Sequence, residues 1–149
     1  VDALGGHSPV QAPVAEAVKE VLVREGVGVA NKKAVVVGEG RLVGRPVADM
    51  LRAEGALVQV ITLESGSLSA LLDADIVVSG AGSPHLIKPE MLNPGVVLID
   101  AGTSESAGKV VGDCDPSCAE VASVFTPVPG GIGPIAVAML FKNLSTLTN

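Results

Sequence analysis

Three observations predict an α/β domain built as a doubly wound parallel sheet, three layers deep in the order αβα. Short aliphatic runs such as Ala34-Val35-Val36-Val37 and Ile76-Val77-Val78 are continuous instead of alternating, as expected of strands buried on both faces. Segments of helical spacing fall between these runs, with short connections that favour parallel strands joined by right-handed crossovers. Glycine-rich turns close the runs at Gly38-Glu39-Gly40, Gly80-Ala81-Gly82 and Asp100-Ala101-Gly102, and the carboxyl ends of strands are where open α/β sheets bind ligands.

In chain order, Val14, Ala17, Val18, Val21 and Leu22 recur at helical spacing, so a helix is expected over 13–24, with Pro13 in its first turn and Gly26 as its stop. Residues 34–37 form the next strand. Pro46 suits the first turn of a helix that Val47, Ala48, Met50 and Leu51 carry to Gly55. Strands are then expected over 57–63, 76–78, 96–99 and 121–125, with a short helix over 68–72, a helical turn over 88–92 and a last helix over 135–144.

At 149 residues the chain is the size of one domain and long enough to bury a core. Hydrophobic residues make up 48% of it, yet no uninterrupted apolar run approaches the roughly 20 residues of a membrane helix, so a cytoplasmic protein without a membrane partner is expected. A net charge of −6 and only two aromatic residues supply neither phosphate attraction nor base stacking, which argues against nucleic acid. Cys114 and Cys118 are too few for a disulfide framework and lack the other ligands of a zinc site, so no metal is expected.

The turn Gly38-Glu39-Gly40-Arg41-Leu42-Val43-Gly44 lies between a β-branched strand and a proline-started helix. A dinucleotide pyrophosphate approaches backbone amides at such a helix start, and a β-carbon at the closest positions blocks it. Gly38, Gly40 and Gly44 therefore point to a Rossmann-type site for a nicotinamide dinucleotide, NAD or NADP. The spacing is one residue longer than the commonest fingerprint, and a tight turn that binds nothing is the alternative. Glu64, 20 residues after Gly44, is placed to accept hydrogen bonds from the adenosine ribose. Together with Glu39 it favours NAD over NADP, unless Arg41 or Arg45 neutralises a 2′-phosphate; the alternative is two solvated surface acids.

Thr126-Pro127-Val128-Pro129-Gly130-Gly131-Ile132-Gly133-Pro134 is too dense in Pro and Gly for a strand or helix and leads into the last helix. Either its amides face a nicotinamide or a substrate, or it is a rigid turn. No general base is evident at His7 or His85, so no catalytic residue is assigned, and Asp100, Asp113 and Asp115 read as turn residues making local hydrogen bonds.

Several of these segments resemble a known family. Val35-Val36-Val37-Gly38, Leu42-Val43-Gly44-Arg45-Pro46, Ala74-Asp75-Ile76-Val77-Val78, Pro94-Gly95-Val96-Val97-Leu98-Ile99-Asp100-Ala101-Gly102, Gly112-Asp113 and, most specifically, Thr126 through Pro134 carry the likeness. They are similar to the carboxy-terminal NAD(P)-binding domain of the bifunctional methylenetetrahydrofolate dehydrogenase/methenyltetrahydrofolate cyclohydrolases, over residues 13–144.

The resemblance implies hydride transfer between 5,10-methylenetetrahydrofolate and NAD(P), with a cyclohydrolase step that uses a Tyr-x-x-x-Lys pair from an amino-terminal domain. The chain contains no tyrosine. Residues 1–149 are therefore expected to be a single NAD(P)-binding domain without that catalytic domain, inactive alone, meeting folate only with the other domain and forming a homodimer. On the family pattern Gly38, Gly40 and Gly44 carry the pyrophosphate and Glu39 and Glu64 face the adenosine ribose. Gly80, Ala81, Gly82, Ala101, Gly102 and Thr103 line the nicotinamide side. Leu42, Val43 and Ala136 complete the cofactor site, and Pro129, Gly130, Gly131, Gly133 and Pro134 form a substrate-side loop.

Three departures bear on the cofactor. The family's usual Arg-Ser after the first glycine is Glu39-Gly40 here, and that arginine commonly holds the NADP 2′-phosphate, so weak NADP binding is expected. The family's Asn after Gly-Ile is Ser104, and the Thr that opens the last helix is Ala136. These changes leave open a second class of function, a degenerate dinucleotide-binding or dimerisation module without catalysis. An unrelated nucleotide-sensing domain is disfavoured by the Thr126 to Pro134 loop.

Overall fold

Helix α1 (Pro13–Arg24) forms on the expected residues and buries Ala15, Ala17, Val18, Val21 and Leu22 on one side. Glu16 in its first turn and Arg24 in its last suit the helix dipole, and Arg24 Nε lies 2.8 Å from Glu20 one turn away. The helix stops where Gly26 takes a φ of +67° and the Val27 N–H turns back to the Leu22 carbonyl at 2.9 Å. The computed structural model describes residues 13–40, 43–64 and 68–128.

After α1 come β1 (Lys33–Val37), α2 (Gly44–Ala53), β2 (Leu57–Ile61), β3 (Ile76–Ser79), β4 (Val97–Asp100), β5 (Ser104–Ser106), β6 (Lys109–Val111) and β7 (Val124–Thr126). Short 3-10 helices occupy Leu68–Asp73, Pro89–Met91 and Pro116–Glu120. Five strands form one parallel sheet in the order β2-β1-β3-β4-β7. The side-chain period of two splits the core: Ala34, Val36, Ile76, Val78, Val97 and Ile99 face α1 and α2, while Val35, Val37, Val77 and Leu98 meet Leu71, Ile87 and Leu92 on the other side. Burial on both faces is what makes β1, β3 and β4 continuous apolar runs. β2, at the edge, alternates instead, with Leu57 and Gln59 exposed.

The α/β class and the Rossmann-type layering are as the sequence predicts, with corrections in detail. The segments expected as a helix over 68–72 and a helical turn over 88–92 are 3-10 helices, Leu68–Asp73 and Pro89–Met91, so among the described residues the side opposite α1 and α2 is covered by 3-10 helices. Pro46 lies in the first turn of α2, which starts at Gly44, as expected, whereas β2 ends at Ile61 instead of 63. β7 begins at Val124, because Pro116–Glu120 forms a 3-10 helix whose last cap is Val121. The antiparallel β5–β6 hairpin was not expected; Ala107 and Gly108, both at positive φ (52° and 78°), make its two-residue turn. The helix expected over 135–144 lies outside the described residues. No helix among the described residues is long and apolar enough to cross a membrane.

From β1 the chain moves outward to β2 and then returns past β1 to β3, so the winding reverses between β1 and β3. The crevice beyond their carboxyl ends is the position at which such sheets take ligands.

Candidate dinucleotide site

The register Val37↔Ile61 and Val37↔Ser79 brings the turns after β1 and β3 out side by side. The Gly38 N–H donates to the Ile61 carbonyl at 2.7 Å, and the Gly80 N–H to the Val37 carbonyl at 2.9 Å. Gly38 has a φ of +98°, and a β-carbon there would sit 2.8 Å from the Gly80 carbonyl oxygen. A β-carbon on Gly44 would overlap the Gly38 carbonyl, and one on Gly80 would overlap Val43 Cγ1. The turn is thus packed backbone on backbone against the helix start and the neighbouring strand end, with Val43 filling the space over Gly80, and glycine is required at these contacts.

Gly40 by contrast has open space where a side chain would be. Val43 stands at the N-cap of α2 and makes no side-chain cap hydrogen bond, so the helix presents its amino-terminal dipole without a side-chain oxygen over it. The Arg45 N–H is taken by the Gly40 carbonyl at 3.0 Å, and a helix start without a side-chain cap behind an open, glycine-lined backbone is a setting that suits a pyrophosphate.

Glu39 and Glu64 are exposed beyond the carboxyl ends of adjacent strands, β1 and β2. Beside the turn lies a groove of about 450 Å³ lined by Glu39, Gly44, Arg45, Ala48, Asp49, Arg52 and Val60. Its charges alternate, and Arg52 Nη1 is 3.6 Å from Asp49 Oδ1.

Sequence reading treats Asp100 and Asp113 as turn residues, and the structure shows instead two buried carboxylates, 1% and 0% exposed. Asp100 ends β4 and accepts from the N–H groups of Gly102 (3.0 Å), Asp113 (3.1 Å) and Cys114 (2.9 Å). Asp113 accepts from Ser79 Oγ (2.6 Å) and from the N–H groups of Ala81 (2.7 Å) and Ser83 (3.0 Å). Burial pushes the Asp100 carboxyl above its ordinary range; the three N–H donors oppose the rise, and the nearby Asp113 charge adds to it. Burial likewise raises the Cys114 thiol, aided by Asp100, and the Cys118 thiol to about 11, so both cysteines are neutral at neutral pH. Among the described residues no group of three or more His, Cys, Asp and Glu side chains is arranged to hold a metal.

Gly38, Glu39, Gly40, Val43 and Gly44 therefore lie on one side of the crevice, with Gly80, Ala81, Gly82, Ala101, Gly102 and Thr103 at the ends of β3 and β4. Gly102 is buried with its α-carbon against Asp113 and its N–H on Asp100, whereas Gly82 and Thr103 are exposed. Leu42, Ala136, Pro129, Gly130, Gly131, Gly133 and Pro134 lie outside the described residues. The clue to the missed carboxylates is an Asp closing an otherwise apolar strand, Val97-Leu98-Ile99-Asp100, where a solvated turn residue has no reason to be buried.

Comparison with known proteins agrees with this geometry. The model of the tetrahydrofolate dehydrogenase/cyclohydrolase NAD(P)-binding domain matches residues 12–149. The bifunctional protein FolD of Thermomicrobium roseum is 47% identical over 82% of this chain and 43% of that protein. Among solved structures, the bifunctional enzyme FolD of Campylobacter jejuni superimposes with a TM-score of 0.86 at 34% identity, over 95% of this chain and 51% of that one. The Trypanosoma brucei methylenetetrahydrofolate dehydrogenase-cyclohydrolase, solved with NADP and an inhibitor, gives a TM-score of 0.81 at 39% identity over 88% of this chain and 48% of that one. The chain thus spans about half the length of the relatives it matches. It belongs to the tetrahydrofolate dehydrogenase/cyclohydrolase family, whose NAD(P)-binding domain it contains.

Proposed function

We propose that the chain holds NAD(P) in the crevice between β1 and β3 as the cofactor half of a 5,10-methylenetetrahydrofolate dehydrogenase/methenyltetrahydrofolate cyclohydrolase, all of residues 1–149 acting as one domain. The observation that carries this reading is the stack of Gly38, Gly44 and Gly80 under the start of α2, which has no side-chain cap. Gly38, Gly40 and Gly44 line the pyrophosphate, with the α2 dipole behind it. Glu39 and Glu64 accept from the adenosine ribose hydroxyls. Gly80, Ala81, Gly82, Ala101, Gly102 and Thr103 form the nicotinamide side, completed by Leu42, Val43 and Ala136, with Pro129, Gly130, Gly131, Gly133 and Pro134 facing substrate. The nicotinamide ring, when bound, supplies the hydride acceptor; the chain's own part is to bind, orient and shield it.

Folate and the catalytic lysine belong in this reading to a second domain, so this chain alone is inactive, works as a cytoplasmic homodimer and binds neither nucleic acid nor membrane. NAD is preferred, because carboxylates at Glu39 and Glu64 oppose a 2′-phosphate. The test is amide chemical-shift mapping. Adding NAD should move the resonances of Gly38, Glu39, Gly40 and Gly44 together, and shifts confined to other surfaces would refute the assignment. A second reading, a dimerisation module that has lost the cofactor, is favoured by Glu39, Ser104 and Ala136 where the family has Arg, Asn and Thr; it predicts no shifts at all.

A further inference from the structure

Asp100 and Asp113 are buried without a countercharge: among the described residues no lysine, arginine or histidine forms an ion pair with either. A buried carboxylate is costly unless donors surround it, and here donors do. Their placement is selective. Ser79, Ala81 and Ser83, which serve Asp113, span the turn leaving β3, while Gly102, which serves Asp100, lies in the turn leaving β4. The two acids also cross. The Asp113 carboxylate lies against the Gly102 α-carbon, and the Asp100 carboxylate against that of Gly112, so close that neither glycine has room for a β-carbon.

Between the two amides fixed by Asp113 stands Gly82, exposed, at a φ of +70° and with open space around its α-carbon. The flanks of the turn are held and its apex is left clear. We infer that Asp113, braced by Asp100, is a positioning residue that sets the path of Gly80-Ala81-Gly82 against the nicotinamide half of a bound dinucleotide. This rests on the dinucleotide reading above. A carboxylate suits the task because both oxygens only accept, whereas an amide of the same shape turns its NH₂ either toward the Ser83 N–H or toward the Ala81 N–H and the Ser79 hydroxyl.

The experiment is calorimetric titration of the full chain and of Asp113→Asn with NAD and with ADP, which carries the adenosine and pyrophosphate but no nicotinamide. The exposed Asp73→Asn, beside Lys33 at the opposite end of the sheet, is the control. Asp113→Asn should weaken NAD about tenfold and leave ADP within about twofold. Equal loss of both ligands, which a merely structural role produces, or an unchanged NAD affinity would overturn the inference. If Asp113→Asn does not fold, Ser79→Ala removes one donor and should weaken NAD about threefold with ADP unchanged; no difference between the ligands would again overturn it. Wild-type chain that binds neither NAD nor ADP would sink the dinucleotide reading itself, and this inference with it, whereas wild-type binding with insensitive variants would sink the inference alone.

Discussion

The two sides of the crevice are held by different physics. On the β1 side, Gly38 and Gly44 bring backbone into contact with backbone, and the limit there is steric: one added carbon has no space. On the β3 and β4 side, Gly80 and Gly102 are sterically tight as well, but the turns are held by two buried acids that accept hydrogen bonds from Ser79, Ala81, Ser83, Gly102, Asp113 and Cys114, which adds an electrostatic limit. A steric site fails by substitution alone, while an electrostatic one also responds to pH.

The largest expected effect separates the two sides at once. Asp100→Ala leaves three buried N–H groups without their acceptor and should cost about 4 kcal/mol in denaturant unfolding. Gly44→Ala should cost about 3 kcal/mol, because the β-carbon meets a carbonyl and not a flexible side chain, and should also abolish NAD binding. Equal binding by Gly44→Ala and wild type would remove the steric half of the comparison. Glu39→Arg, at an exposed position, should leave stability alone and raise the NADP-to-NAD affinity ratio about tenfold by competitive titration. Ser79→Ala loses a hydroxyl donated to a buried carboxylate and should cost about 1 kcal/mol in thermal denaturation.

The smallest effect is the pH response of Asp100. Its carboxyl is raised in the folded chain, so between the ordinary carboxylate value and the folded one the native state holds more proton than the unfolded state. Stability from this group therefore increases as pH falls through the folded value. Asp115 has the opposite sign: the Ser117 hydroxyl and N–H lower it, so its contribution is lost on acidification. Comparing wild type with Asp100→Asn at neutral and mildly acid pH should show the stability difference moving in favour of wild type in acid; a difference independent of pH would contradict the electrostatic account.

The steric side was legible in the sequence and the electrostatic side was not. Gly38 and Gly44 announce themselves because a β-branched run stops on one and a helix begins at the other, which needs only local rules; Gly40, read the same way, has open space where a side chain would be. The continuous runs 34–37 and 76–78 likewise gave away strands buried on both faces. Asp113 is different: its donors lie 30 to 34 residues earlier, at Ser79, Ala81 and Ser83, and local rules assign an Asp after Gly112 to a solvated turn. The β5–β6 hairpin escaped notice because its strands are three residues each and its turn carries Ala107 where Asn or Asp would signal one. The 3-10 helices opposite α1 and α2 share the apolar spacing of an α-helix over so few residues that periodicity cannot separate the two.

On the proposed reading this crevice takes a nicotinamide dinucleotide and prefers NAD. Calorimetric titration of the chain with NAD and NADP at equal concentrations tests it most directly, and suits a protein with no tryptophan to quench. Saturable binding of NAD with weaker binding of NADP is the predicted result, and a folded chain that gives no heat with either would contradict the account.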